Sequence, residues 1–255
     1  MNENDFLEPT NNSINDDTNN TSDNDLETIE EPDTNIPKEV IVGTDISIEK
    51  ICEIFPKPNE SPELIRVSDI GLYSITKKNE AYFISNLITK YFGENKINIT
   101  DSTACCGGNT ISFLLHPQIA KINAVEIDDL HFEILKNNVN LYKNANKVNL
   151  LKGNYLQYAK SLEQDVIFYD LPWGGKKYME KEEITLGLYC NENFITLSHI
   201  INQMKEKTKL QVLKIPLNFA FTAFLKEIDY TKIKIHKIYN KFTKKLCYFI
   251  LILIS

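Results

Sequence analysis

The segment Asp170-Leu-Pro-Trp-Gly-Gly175 sets a carboxylate, a backbone carbonyl, a rigid proline and the chain's single tryptophan side by side. That set suits chemistry on an exocyclic amine of a nucleic-acid base. Such an amine is a poor nucleophile, because its lone pair is delocalised into the ring. Two acceptors holding its hydrogens, the Asp170 carboxylate and the Leu171 carbonyl, would pull the nitrogen toward a tetrahedral shape and aim its lone pair at an incoming methyl group. Positioning then supplies most of the rate, and no strong base is needed. Pro172 stiffens the turn. Trp173 offers a flat face for the base, and a core-filling indole is the competing reading. On a positively charged base such as 7-methylguanine the stack becomes a cation–π contact, worth about 2 kcal/mol or more once desolvated.

A second constellation lies upstream. Asp101-Ser-Thr-Ala-Cys-Cys-Gly-Gly-Asn-Thr110 follows an expected strand and opens a helix. Small residues at such a junction let backbone approach a ligand closely, and Gly107 and Gly108 supply them. The loop lacks both G-x-G-x-x-G and a Walker lysine, so it is a poor phosphate cradle. Asp101 is placed to face a positive amino group, as in the methionine moiety of S-adenosylmethionine. Glu126 ends the next strand, where a carboxylate can accept both ribose hydroxyls of an adenosine. The alternative there is an ordinary helix-start acid, since Asp128 and Asp129 follow. At Gly153-Asn154-Tyr155 the Asn154 amide either reads an adenine edge or merely closes a turn.

These residues need a frame. After Gly93, strands are expected at 97–100, 122–127, 148–151, 166–169, 210–215, 232–238 and 246–253, with helices at 109–115, 129–142, 192–205 and 218–227. Alternation of this kind implies a parallel sheet covered on both faces. The last two strands have no room for a helix between them and must pair antiparallel. Residues 41–75 read as short irregular pieces broken by Pro56, Pro58 and Pro62. Thr76 then looks like the N-cap of a helix carrying Ala81, Ile84, Leu87, Ile88 and Tyr91 up to Gly93. The expected organisation is a tail over 1–40, an extension with one helix over 41–92, and the α/β domain over 93–255.

Charge is unevenly spread along the chain. Residues 1–40 hold twelve acids against Lys38, whereas residues 41–255 hold 27 Lys and Arg against 23 acids, within an overall net of −7. The Asn- and Asp-rich tail cannot bury enough apolar surface to offset its ordering entropy, so disorder is expected there. A mildly basic body suits a nucleic-acid ligand, though an ordinary lysine surface would look the same. Five cysteines show no paired metal spacing and four histidines add no ligand cluster, so thiols are read as reduced and no metal is expected. The acidic N-terminus is no signal peptide, and 249–254 is too short to cross a bilayer. A soluble monomer of cytoplasm or nucleus, without membrane attachment, is the expectation.

The 101–110 loop, Ala124-Val-Glu-Ile-Asp128, the Gly153 turn and Leu171-Pro-Trp-Gly-Gly175 together resemble the trimethylguanosine synthase family of RNA cap guanine methyltransferases. Upstream, Gly71-Leu-Tyr-Ser-Ile-Thr76 is similar to the Trp-Phe-Ser-Val-Thr segment that precedes that family's catalytic domain. Downstream, Ile215-Pro-Leu-Asn218 is similar to its Leu-Pro-Arg-Asn. The resemblance implies a class I Rossmann-like methyltransferase with seven strands and a terminal antiparallel hairpin. It also implies S-adenosylmethionine as cofactor and capped RNA or a 7-methylguanosine nucleotide as substrate. The cofactor set is Asp101, Thr103, Gly107, Gly108, Asn109, Thr110, Glu126, Asn154 and Asp170. Asp170, Pro172 and Trp173 are the catalytic set. Arg66, Ser74, Thr76, Trp173, Lys176 and Asn218 are assigned to substrate, with Arg66 at the cap phosphates.

The chain departs from the family in four places. Cys105 replaces the first glycine of the cofactor loop, so the backbone there is expected to avoid positive φ. Asn154 stands for Asp, Asp170-Leu171 for Ser-Pro or Asp-Pro, and Leu217 for a phosphate-binding arginine that Lys176 and Lys177 could replace. The Asn-rich composition suggests an AT-rich genome, of a large virus or a protist. Two other readings stand beside the cap enzyme. One is an adenine amino-methyltransferase on DNA or RNA, and the other a non-catalytic module that binds cap or cofactor.

Overall fold

The structure, a computed structural model, describes residues 40–42, 46–240 and 243–255. The expected tail therefore lies outside the described residues, apart from Val40. That residue opens β1 (Val40–Val42), which pairs antiparallel with β2 (Arg66–Ser68). The extension holds three helices where one was expected: α1 (Ile48–Ile54), α2 (Asp69–Ser74) and α3 (Lys78–Thr89). The prolines bound the two short ones without preventing them. Ser47 caps α1 by accepting the Lys50 N–H, and Ser68 caps α2 by accepting the Gly71 N–H at 2.8 Å. Thr76 is not the cap of α3. Lys77 occupies that position without a side-chain bond, and the Thr76 hydroxyl is used elsewhere. Ala81, Ile84, Leu87 and Ile88 form the buried face of α3, as their spacing predicts.

The main sheet begins with β3 (Ile97–Asp101), α4 (Gly108–Leu115), β4 (Ile119–Glu126), α5 (Asp129–Asn140) and β5 (Val148–Lys152). The one-turn helix α6 (Tyr155–Tyr158) leads to β6 (Val166–Tyr169). A two-stranded hairpin, β7 (Gly187–Cys190) and β8 (Asn193–Thr196), precedes α7 (Leu197–Met204). Then follow β9 (Leu210–Ile215), α8 (Phe221–Glu227), β10 (Ile233–Tyr239) and β11 (Leu246–Ile254). Seven strands lie in the order β10-β11-β9-β6-β3-β4-β5. Pairing is parallel from β5 to β9, and β11 runs antiparallel to both its neighbours. Every residue of β6 and β9 is buried, whereas edge strands β5 and β10 are half exposed. Helices cover both faces of the centre, which is why its strands read as apolar runs. This is the Rossmann-like, mostly parallel seven-stranded fold with a terminal antiparallel hairpin that the strand pattern implied.

The helix expected over 192–205 is a correction. Its first part is the β7–β8 hairpin, turning through Asn191 at φ +54°, with Tyr189 and Phe194 paired across the strands at 5.1 Å. Only the part from Leu197 is helical, capped by Thr196. The helix expected from 218 starts at Phe221. Among the described residues, no helix is long and apolar enough to cross a membrane.

The extension belongs to the same core as the sheet: Ile51, Ile54, Phe55, Ile65 and Val67 pack in one cluster with Ile97, Ile99 and Phe168. Asn138 of α5, fully buried, ties the two together. Its amide accepts the Arg66 N–H at 2.9 Å and donates to the carbonyls of Arg66 at 2.8 Å and Cys106 at 3.0 Å. Each buried backbone group left without a partner costs about 1–3 kcal/mol. Asn138→Leu is therefore expected to lower stability by about 3 kcal/mol or more, read as a lower urea midpoint at unchanged slope. A midpoint that stays in place would show that the extension is held by packing alone.

Candidate active site

The chain leaves β3 toward β4 and β5 on one side and returns to β6 on the other, so strand order reverses between β3 and β6. In open α/β sheets a ligand crevice lies beyond the strand ends at that point. Asp101 closes β3, and Asp170 directly follows β6. The parallel register sets Tyr169 against Leu213, which brings Asp170 beside Lys214 of β9.

Asp170 is held from four directions. Its Oδ2 accepts from Lys214 Nζ at 2.8 Å, Thr76 Oγ1 at 3.2 Å and Asn109 Nδ2 at 3.3 Å, while Thr103 Oγ1 donates to its backbone carbonyl at 2.8 Å. Lys214 also donates to Thr76 at 2.9 Å. These residues come from the strap before α3, the start of α4, the cofactor loop and β9. Gly108 lets the strap sit there: a Cβ on it would meet Ile75 at 2.5 Å and the Thr76 carbonyl at 2.9 Å.

Trp173 is neither a free loop side chain nor a core residue. It is half-buried, edge-on to Tyr178 at 5.2 Å and tilted toward Tyr248 at 6.4 Å. Lys214 Nζ lies 5.3 Å from its ring centroid and 5.1 Å from that of Tyr248. The indole Nε1 is buried without a hydrogen-bond partner. Tyr248 in turn donates to Glu80 at 2.8 Å, and burial pushes its hydroxyl pKa up. Pro172 is exposed and Leu171 buried.

The other carboxylates sit under the cofactor loop. Asp101 is fully buried; its Oδ2 accepts from Thr110 at 2.6 Å, and its Oδ1 has no partner. Burial raises its pKa to about 7, with Asp170 and Glu126 adding to the rise and the Thr110 bond opposing it. Glu126 accepts the backbone N–H of Cys105 at 2.7 Å and of Asp128 at 2.8 Å; burial raises its pKa too. The expectation that Cys105 avoids positive φ is overturned, since its φ is +48°. A non-glycine residue there costs about 1–3 kcal/mol, and the charge-assisted bond to Glu126 offsets it. Gly107 follows at φ +95°.

The remaining expected residues are scattered. Asn154 caps α6 and donates to the Tyr189 carbonyl, so its amide already serves the turn and the hairpin. Arg66 is exposed on β2, and Ser74 only back-bonds to Ile70 within α2. Lys176 lies over the Tyr73 ring at 4.8 Å. Asn218 donates to the carbonyls of Tyr178 and Lys181 and so ties the segment after Trp173 to the end of β9. No described contact joins these five to Asp170. Lys214 and Tyr248 were not expected in the site. The signal for Lys214 was available: a lysine inside the apolar run Leu-Gln-Val-Leu-Lys-Ile of a buried strand needs a carboxylate partner.

The profile of the RNA cap guanine-N2 methyltransferase family matches residues 96–253. The chain belongs to that family. It is similar to an uncharacterized protein of Acanthamoeba polyphaga mimivirus, 30% identical over 135 residues, 52% of this chain and 51% of that protein. This family member thus spans about half the length of the curated relative it matches. Among solved structures, a precorrin-6y C5,15-methyltransferase from Geobacter metallireducens GS-15 superposes with TM-score 0.51 at 16% identity, covering 79% of this chain and 98% of that one. A protein of Porphyromonas gingivalis W83 described as a methyltransferase gives TM-score 0.50 at 12% identity, covering 71% and 41%. Both likenesses concern the fold.

Two predictions follow from the electrostatics of this cap-methyltransferase family member. Lys214→Met leaves Asp170 without its cation and is expected to cost about 3–5 kcal/mol. Adding Asp170→Asn should restore most of it; a double variant as unstable as the single one would show that Lys214 acts through packing. Asp101 has the opposite sign to a salt-bridged carboxylate. Its folded pKa, about 7, lies above the ordinary 3.8. Its stability is whole below that lower value and is lost as pH rises through about 7, by on the order of 4 kcal/mol. Asp101→Asn should flatten this part of the stability–pH curve of the ligand-free protein, and an unchanged slope would show that Asp101 does not titrate there.

Proposed function

We propose that this chain transfers a methyl group from S-adenosylmethionine to the exocyclic amine of 7-methylguanosine in an RNA cap. The cofactor fits the residues present. The unpartnered Asp101 Oδ1 and Asn109 Oδ1 are buried acceptors without donors, and the cofactor's ammonium supplies such donors. Glu126 spends one acceptor site of each oxygen on backbone N–H groups and keeps others for the ribose. When bound, the cofactor supplies an electrophilic methyl carbon on a sulfonium.

The observation that carries the reading is the fixed Asp170 beside Trp173. All three side-chain bonds to the carboxylate end on Oδ2, so Oδ1 is the oxygen left to accept a hydrogen of the base amine. Locked by these bonds, the carboxylate orients that amine without a search over rotamers. Its charge is balanced by Lys214, so it serves as an acceptor of a hydrogen bond more than as a base. The Lys214–Asp170 pair is neutral as a unit, so the cation over the Trp173 ring does not repel a charged purine. Family membership supports guanine as the base, and Lys176 and Lys177, just past the Trp173 loop, supply charge for the phosphates.

Labelled S-adenosylmethionine with 7-methylguanosine diphosphate, GTP or single-stranded DNA tests this. Transfer is expected to the 7-methylated nucleotide alone. Trp173→Ala should lower kcat/KM by roughly thirtyfold or more, the equivalent of about 2 kcal/mol of stacking, with cofactor affinity unchanged. Methylated adenine in DNA would replace this reading with a base amino-methyltransferase of the other kind. Cofactor binding without transfer to any acceptor would replace it with a binding module.

A further inference from the structure

A separate group of donors lies behind the cofactor loop. Cys105 and Cys106 of that loop and His131 in the first turn of α5 each offer one ligand atom, and the three atoms lie within 4.8 Å of one another. We propose that Cys105, Cys106 and His131 bind one soft divalent cation, zinc in the first place. Spacing along the chain gave no sign of it, because α5 brings in the histidine only once the sheet is formed.

The donor set chooses the ion. Two thiolates and an imidazole suit zinc, whereas magnesium and calcium take oxygen ligands. The two sulfurs are 3.9 Å apart. A tetrahedral ion with metal–sulfur bonds of about 2.3 Å holds its sulfurs about 3.8 Å apart. The longer separations must close by about 1 Å, within the reach of side-chain rotation at half-buried Cys105.

The surroundings of His131 suit a ligand. The nitrogen Nε2 lies 2.8 Å from Ser68 Oγ, which in turn is 3.9 Å from Cys106 Sγ, so a bound ion would take this nitrogen over from the serine hydroxyl. Its other nitrogen, Nδ1, is 3.6 Å from Asp128 Oδ1. Metal-bound imidazoles commonly turn their second nitrogen to a carboxylate, which fixes the ring and strengthens the ligand. Cys106 and His131 are buried, which keeps competing water away.

Binding replaces two S–H bonds by two metal–sulfur bonds and releases two protons to solvent. The fourth position is left to water, as in other three-ligand zinc sites. The ion would join the cofactor loop to α5 and hold Cys105 in its positive-φ conformation, with its N–H on Glu126. This inference does not depend on which base is methylated.

The full chain, reduced and stripped with a chelator, is titrated with cobalt(II) and then zinc. Expected are thiolate-to-cobalt charge-transfer absorption and the visible bands of a tetrahedral site, saturating at one equivalent and displaced by zinc. Cys105→Ser and Cys106→Ser should each remove the spectrum. Asp128→Asn, which keeps the helix cap, should weaken binding about 10–100-fold. Replacing Cys52, Cys190 and Cys247 by Ser should leave it intact. A featureless titration, or a spectrum that survives Cys105→Ser, overturns the proposal. Should Cys106→Ser fail to fold by circular dichroism, the half-buried Cys105 variant decides alone.

Discussion

Burying a carboxylate is costly unless it is paired and hydrogen-bonded, and the Lys214–Asp170 bond meets that condition. Both side chains are mostly buried, at 6% and 15% exposure, and their separation is 2.8 Å. The pair draws in everything near it. Thr76 fixes the strap before α3, Asn109 fixes the start of α4, and Thr103 fixes the Asp170 backbone. Desolvating two ions is expensive, so such a pair rarely maximises stability. Its justification is specificity of placement: a carboxylate with one oxygen saturated can point the other in a single direction.

The crevice holds three carboxylates, Asp101, Glu126 and Asp170, each adjacent enough that the other two raise the Asp101 pKa. Glu126 is stabilised by backbone N–H groups, Asp170 by Lys214, and Asp101 chiefly by the Thr110 hydroxyl. Asp101 is thus the carboxylate whose charge the folded protein tolerates least. A site built this way is poised for a cation, because a positive ligand removes the burial penalty and completes the missing bond at Oδ1 together.

Much of this was legible in the sequence. The central strands were readable because both their faces are covered, which leaves uninterrupted apolar runs such as Val166–Tyr169. Asp101, Glu126 and Asp170 were readable because each falls at a strand end. The β7–β8 hairpin was not, since its two-residue turn lacks the usual Asn-Gly and its residues run into a true helix with apolar spacing. Cys105 was misjudged because a chain departure from glycine says nothing about a carboxylate waiting to bond the strained N–H. Lys214 was hidden in a strand by reading that strand for its apolar residues only. Arg66, Ser74, Lys176 and Asn218 were assigned by position along the chain; in the structure Arg66 is exposed, while Ser74, Lys176 and Asn218 contact Ile70, Tyr73 and Tyr178.

Charge also bears on which base is selected. With Asp170 paired to Lys214, the excess of negative charge rests with Asp101 and Glu126, whose pKa values burial raises, so it develops chiefly as a cation enters. In a low-dielectric site that excess acts strongly on whatever enters. It favours a cation on the Asp101 side, and it disfavours phosphates. The proposed cap substrate would meet both demands only with its methylated base inside and its phosphate chain outside. The lysines must then lie outside the crevice, and Lys176 and Lys177 are exposed just after the Trp173 loop. Lys214, the cation inside, is prevented from binding phosphate by its bond to Asp170. On the proposed reading, a positively charged purine entering beside Trp173 meets an ion pair that is neutral as a unit, so its charge is not opposed there.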